Sequence, residues 1–276
     1  MTTTMETARV KLNNGVELPQ VGLGVWQAER GRETQDAIRW ALAHGYRHID
    51  TARVYRNEQD VGEAVRNAEL PRDQIFITTK LWNDDQGFDS TLRAFEQSLK
   101  RLGLDYIDLY LIHWPVAGKR LESWEALERL YEEKRVRAIG VSNFLVPHLR
   151  ELLDRAEVVP QVNQIELSPF LQRRDTLAFC KEHQIAVEAY SPLTRGQRLS
   201  HKVVLEVARR VQRTPAQVLL RWGLQKDTIV LPKSTHEARI AENAALFDFA
   251  LDAPAMQQLD ALEENLTTGW DPASQP

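Results

Sequence analysis

The sequence predicts an α/β protein folded as a (β/α)8 TIM barrel, on three observations. Polar residues close the predicted strands at a near-regular interval, at positions 50, 80, 113, 142, 164, 190 and 233. All steps but the last are 22 to 33 residues, and one strand with its returning helix needs about 30. The chain has 276 residues, close to the roughly 250 of one such barrel. Finally, apolar and polar residues alternate about Asn14-Gly15, a β-hairpin signal placed to plug the bottom of a barrel.

The elements follow in order. Val21 to Val25 reads as strand one, and Glu33 to His44 as a helix with Ala37, Ile38, Ala41 and Leu42 on one face. Tyr46 to Asp50 is strand two. Asn57 caps a helix that runs to Asn67. Ile75 to Thr79 is strand three, ending at Lys80, and Asp89 to Leu102 is helical. Tyr106 to Ile112 is strand four, ending at His113, and a helix over Ser123 to Lys134 takes Ser123 as its N-cap. Val136 to Val141, Val162 to Ile165, Ile185 to Ala189 and Thr228 to Leu231 supply strands five to eight. Helices fall at Pro147 to Arg155 and up to His183. The long last step has room for two more, Lys202 to Gln212 and Pro215 to Leu224, and Ala253 to Glu263 follows the barrel. Such alternation fits an open doubly wound sheet or a closed barrel. Eight units and the leading hairpin favour the barrel. No linker divides the chain, so 1–276 reads as one domain.

Hydrophobic residues are 43% and charged residues 27%, with a net charge of −4. That weighs against nucleic acid or an anionic membrane as partner. The single cysteine, Cys180, excludes an intrachain disulfide and reads as a buried structural thiol. No leader-like apolar segment opens the chain, and no stretch is long and apolar enough to span a bilayer. The expectation is a cytoplasmic protein.

Asp50, Tyr55, Lys80 and His113 come from barrel strands two, three and four or just beyond, so they should share one face. Asp beside Lys forms an ion pair, and a cationic Lys beside Tyr lowers the phenol pKa toward working pH. Such a tyrosine can hand its proton to a developing oxyanion while a neighbouring His orients the carbonyl. Each residue alone has a plainer role: an ion pair, a packed ring, a core histidine. All four at strand ends is less easily explained that way. Gly22-x-Gly24 lacks the third glycine of a Rossmann fingerprint. Lys233, at the end of strand eight, precedes Ser234 and Glu237 at capping-box spacing, with Arg239 beyond. A helix start flanked by two cations suits phosphate, although a merely capped helix fits too.

The resemblance that joins these pieces lies in Asp50-Thr51-Ala52-x-x-Tyr55-x-Asn57-Glu58, Thr79-Lys80-Leu81-Trp82, Leu111-Ile112-His113-Trp114-Pro115, Gly140-Val141-Ser142-Asn143-Phe144, Gln161-Val162-Asn163-Gln164, Tyr190-Ser191-Pro192-Leu193 and Pro232-Lys233-Ser234. On these motifs the chain resembles an aldo-keto reductase of the bacterial diketogluconate reductase type, from Leu12 to about Asp252. The resemblance implies a monomeric, NADPH-dependent reductase of aldehydes and ketones, with diketogluconate or methylglyoxal-like dicarbonyls among its substrates. Tyr55 would be the general acid, Lys80 and Asp50 its support, and His113 the group orienting the carbonyl. It also implies that Ser142, Asn143 and Gln164 hold the nicotinamide carboxamide, that Tyr190 stacks on the ring, and that Ser191 and Leu193 meet the pyrophosphate. Lys233, Ser234 and Arg239 would grip the 2′-phosphate, and Glu242 and Asn243 would reach the adenine. Trp26, Trp82 and Trp114 would wall the substrate pocket, and no metal is implied. Arg56, Thr194, Arg195 and Tyr190 depart from the residues common at those positions. The segment after Trp114 and the tail from Leu266 are short, which suggests an open pocket.

Three other classes compete. Lys80 could form a Schiff base for carbon–carbon chemistry, though Lys233 and Arg239 then have no purpose. A regulatory subunit could keep the barrel without turnover. Asp50, His113 and Glu166 could serve a metal hydrolase, but their spacing is not compact.

Overall fold

The structure, a computed structural model, describes residues 4–274. It opens with the expected hairpin: β1 (Arg9–Lys11) pairs antiparallel with β2 (Glu17–Pro19). Gly15 takes the left-handed conformation in the turn, which glycine adopts without strain. Eight parallel strands then alternate with helices. They are β3 (Leu23–Gly24), β4 (His48–Asp50), β5 (Phe76–Leu81), β6 (Ile107–Ile112), β7 (Val136–Ser142), β8 (Val162–Glu166), β9 (Ala186–Tyr190) and β10 (Ile229–Leu231). The order β10-β9-β8-β7-β6-β5-β4-β3 is closed by bridges Val21↔Val230 and Gly24↔Lys233. The sheet is therefore a barrel, as the sequence predicts.

Helices α1 (Arg32–Ala43), α2 (Glu58–Arg66), α3 (Phe88–Leu102), α4 (Arg120–Glu132), α5 (Val146–Leu153) and α6 (Arg174–Glu182) return the chain between strands. The two extra helices before β10 are α7 (Lys202–Val211) and α8 (Pro215–Gln225). After β10 come α9 (Glu237–Ala244) and α10 (Ala253–Asp260). No helix among the described residues is long and apolar enough to cross a membrane.

Side chains alternate across a strand with period two, so every second residue enters the barrel. At the lower end these are apolar: Phe76, Leu109, Leu111, Ala138, Val162, Ile229 and Leu231 form one cluster with Leu12 and Leu18 of the hairpin. The hairpin is thus the predicted plug. Burying each large side chain is worth about 1.5–3 kcal/mol. Higher up the inward residues turn polar, and that change of character makes the site.

Two local expectations fail, and a third holds in position alone. Ser123 does not cap α4, because the helix begins a turn earlier; its hydroxyl instead accepts from the Gly87 N–H at 2.8 Å and donates to the Lys119 carbonyl. Asn57 stands at the N-cap of α2, but its side chain accepts from the Thr51 hydroxyl and donates to the Val25 carbonyl. It ties together the loops after β3 and β4. Ser234 and Glu237 form no capping box: α9 starts at Glu237, and the Ser234 hydroxyl accepts from the His236 N–H.

Gly62 lets α2 lie directly on the end of α3. A Cβ there would overlap the Leu102 carbonyl oxygen, which also accepts from Arg66. Gly62→Ala should therefore destabilise the fold by about 1–3 kcal/mol or more, a drop of several degrees in Tm at roughly 2–4 °C per kcal/mol for a chain near this size. An unchanged Tm would show that α2 can shift at no cost.

Candidate active site

The strand ends of β4, β5 and β6 bring the predicted quartet together. Lys80 is fully buried, and its Nζ donates to Asp50 Oδ1 at 2.7 Å, to the Thr51 carbonyl at 2.9 Å and to the Tyr55 hydroxyl at 3.3 Å. Tyr55 ends a short 3-10 turn, Arg53–Tyr55, and is half-buried, with its ring 5.0 Å from Nζ. The His113 ring meets the Tyr55 ring edge-on at 5.8 Å and the Trp82 ring at 5.3 Å.

The charges are set by burial and partners. For Lys80, burial opposes the ammonium, but Asp50 and Tyr55 outweigh it and raise the pKa above the usual value. Held as an ammonium, Lys80 is a poor amine nucleophile, which counts against a Schiff base. Burial and the nearby Lys80 charge push His113 well below the ordinary histidine value, so its imidazole is neutral. Tyr55 departs from expectation. Burial raises its phenol above the usual value; Lys80 lowers it, Asp50 raises it, and the net direction is up. The lysine offsets part of the desolvation cost rather than producing a net acidic phenol, because burial outweighs it and Asp50 opposes it. Protonated at neutral pH, the phenol remains a proton donor.

Behind the quartet, Gln164 of β8 donates from Nε2 to Asp50 Oδ2 at 2.8 Å and to Glu188 Oε2 at 2.7 Å. Beside it, Ser142 donates to the Gln164 carbonyl. Asn143 adopts a left-handed backbone; its amide donates to the His113 carbonyl at 3.0 Å and to Ser142 Oγ at 3.2 Å. The Tyr190 hydroxyl donates to Asn143 Oδ1 at 2.8 Å. These four predicted residues therefore form one connected wall next to His113. Ser191 and Leu193 continue from Tyr190 in a loop where Ser191, Thr194 and Arg195 are left-handed.

The aromatic rim is wider than predicted. Trp82 lies against His113, and Trp26 sits under the Arg195 guanidinium at 4.3 Å. Trp114 meets Trp270 at 5.8 Å. Trp270, 68% exposed, was not foreseen. The tail reaches the rim because Thr268 donates to Glu166 Oε1 through its N–H at 2.8 Å and its hydroxyl at 2.5 Å, and Asp271 pairs with Arg173. A short tail thus still covers part of the opening.

The predicted phosphate residues follow β10, with Lys233 and Ser234 just past its end and Arg239, Glu242 and Asn243 in α9. Lys233 and Arg239 are exposed and form no ion pair among the described residues. Ser234 and Asn243 are buried, and Glu242 Oε1 is held by the Thr214 hydroxyl at 2.7 Å. Cys180 is buried, as expected, with its thiol pushed up to about 11 by burial.

Comparisons with known proteins agree with this geometry. The Aldo/keto reductase family profile matches residues 20–264. The 9,11-endoperoxide prostaglandin H2 reductase of Trypanosoma cruzi is 51% identical over 266 residues, 95% of this chain and 94% of that protein. Glyoxal reductase of Bacillus subtilis is 49% identical over 263 residues, 95% of each. A crystal structure of a Gox0644 mutant in complex with NADPH superposes with a TM-score of 0.92 at 43% identity, covering 99% of this chain and 98% of that one. The chain belongs to the aldo/keto reductase family and is an oxidoreductase.

Proposed function

We propose that this enzyme uses NADPH to reduce small aldehydes and ketones, with dicarbonyls of the methylglyoxal or diketogluconate kind as its preferred class. The observation that carries the reading is the half-buried Tyr55 phenol held on the buried Lys80–Asp50 pair, opposite a neutral His113. The dicarbonyl class rests on the likeness to glyoxal reductase, and the cofactor on the relative solved with NADPH. The residues present fit that cofactor. Gln164 Oε1 has no hydrogen-bond partner among the described residues, which leaves an acceptor for a carboxamide N–H. Lys233 and Arg239 are uncommitted cations suited to a 2′-phosphate. When bound, NADPH supplies hydride to the carbonyl carbon.

The chain's own residues do the rest. His113, neutral, donates a hydrogen bond to the carbonyl oxygen and orients it. Tyr55 gives its hydroxyl proton to that oxygen as negative charge develops. Lys80 stabilises the phenolate left behind, and Asp50 keeps Lys80 aimed. Tyr190 braces Asn143, and Trp26, Trp82 and Trp114 exclude water from the rim. One domain over 1–276, acting as a cytoplasmic monomer, completes the reading.

The test is oxidation of NADPH across an aldehyde and dicarbonyl panel, repeated with NADH. Turnover with NADPH should exceed that with NADH. Replacing both Lys233 and Arg239 by Ala should raise KM for NADPH by about tenfold or more, as expected for lost charge-assisted hydrogen bonds, and leave NADH unaffected. No NADPH oxidation with any carbonyl on the panel would refute the proposal.

A further inference from the structure

Glu188 is a second carboxyl inside the barrel, and nothing in the mechanism above uses it. It lies on β9 between Val187 and Ala189, faces inward, and is fully buried. Its Oε2 accepts from Gln164 Nε2 at 2.7 Å, and the same nitrogen donates to Asp50 Oδ2 at 2.8 Å. One amide therefore joins Glu188 to the carboxylate that holds Lys80. Among the described residues Glu188 Oε1 has no hydrogen-bond partner; it sits 3.8 Å from His48 Nε2, which is engaged with Thr78 Oγ1 at 2.9 Å.

We propose that Glu188 is a positioning residue for proton delivery from Tyr55, acting through Gln164 and Asp50 as the floor of the site. The proposal rests on the reading of Tyr55 as the acid. With both Nε2 hydrogens committed to the two carboxyls below, the Gln164 amide can face the cofactor only with its Oε1. Removing Glu188 frees one of those hydrogens and with it the amide's orientation. It also removes the support behind Asp50, whose other oxygen aims the Lys80 ammonium.

The charge state is part of the device. The titratable groups around Glu188 are Asp50 and His48 from β4 and Lys80 from β5; β8 presents Gln164, and β10 presents Ile229 in register. Burial, then the Asp50 charge, pushes Glu188 up to about 8, against the weaker pull of Gln164 and Lys80. Burial, then Lys80 and Arg9, pushes His48 down to about 3, so His48 is neutral beside Glu188 and offers it no charge. At neutral pH the carboxyl is protonated and leaves the Lys80–Asp50 ion pair undisturbed. Above about pH 8 a second anion forms next to Asp50 and competes for the Lys80 ammonium. Tyr55 then loses part of its support. The phenol itself titrates above its usual value of 10, so the two events are separated in pH.

The experiment compares wild type, E188A and E188Q in kcat for a dicarbonyl from pH 6 to 10, together with infrared difference spectra of the wild-type protein. E188A should lower kcat at pH 7 by about tenfold or more, on the scale of a lost positioning group. E188Q, which keeps the shape and an acceptor for Gln164, should recover most of that loss. Wild type should lose kcat above pH 8, while E188Q should stay level until the phenol titrates. In the spectra, the carbonyl band of a protonated carboxylic acid should vanish near pH 8. An E188Q profile with the wild-type midpoint, an E188A kcat equal to wild type, or no carboxyl band titrating near pH 8 would each overturn the assignment. The spectra need neither turnover nor a folded variant. Turnover surviving in Tyr55→Phe would instead strike the acid reading while leaving the carboxyl titration in place.

Discussion

Replacing Tyr55 by Phe should lower kcat for carbonyl reduction by about 10²–10⁴-fold, the range contributed by a positioned general acid, while leaving NADPH affinity nearly unchanged. The substitution removes one oxygen. That oxygen is the only part of Tyr55 that Lys80 Nζ touches as a hydrogen-bond partner, and Nζ keeps its bonds to Asp50 and the Thr51 carbonyl. The ring's edge-on contact with His113 survives in Phe. Among the described residues, those assigned to the cofactor, from Ser142 round to Arg239, make no hydrogen bond to the Tyr55 oxygen. Loss should therefore fall on kcat, read in single-turnover NADPH oxidation, and spare the Kd for NADPH read by tryptophan fluorescence. A wild-type kcat in this variant would refute the assignment. Because burial raises the phenol above its ordinary value, the donor form is complete across neutral pH. As far as Tyr55 is concerned, reduction is flat there and falls only when pH rises past the phenol's own titration.

The barrel was legible because its signals are local and repeat. Polar residues close the predicted strands, the closures recur every 22 to 33 residues up to the last step, and the hairpin alternates about Asn14-Gly15. Helix starts were less so. Ser123 looked like a cap, but the tertiary partner at Gly87 claimed its hydroxyl and α4 began a turn earlier. The quartet was readable for the same reason as the strands: three of its members close strands. The motifs also named Ser142, Asn143, Gln164 and Tyr190, but not the hydrogen bonds that join them to the quartet and to one another. The bonds from Gln164 to Asp50 and from Tyr190 to Asn143 join residues 114 and 47 positions apart, and no sequence spacing announces them. Glu188 did leave a signal. A lone carboxyl in the apolar run Ile185 to Ala189 has no reason to be buried unless something inside receives it. The phenol's pKa runs opposite to the sequence expectation because a motif gives the lysine's charge but not the burial that outweighs it.

Lys80→Met should be the most destabilising single change in the site, lowering stability by about 3–5 kcal/mol, the cost of breaking a buried ion pair by removing one partner. Lys80 and Asp50 lie at 0% and 5% side-chain exposure. Methionine fills most of the space but supplies none of the three hydrogen bonds, so the Asp50 carboxylate loses its counter-ion, and the Thr51 carbonyl and the phenol lose their donor. Gln164 still donates to Asp50 Oδ2, but an amide carries no charge. Restoring neutrality by adding Asp50→Asn should recover part of the lost Tm, because the stranded anion is then gone. It should recover none of the activity, since no ammonium remains to support the phenolate. The double-mutant cycle read in Tm thus separates the pair's structural worth from its chemical one. If Lys80→Met keeps the wild-type Tm, the interior solvates Asp50 by some other route, and the ion pair is not what holds these strand ends together.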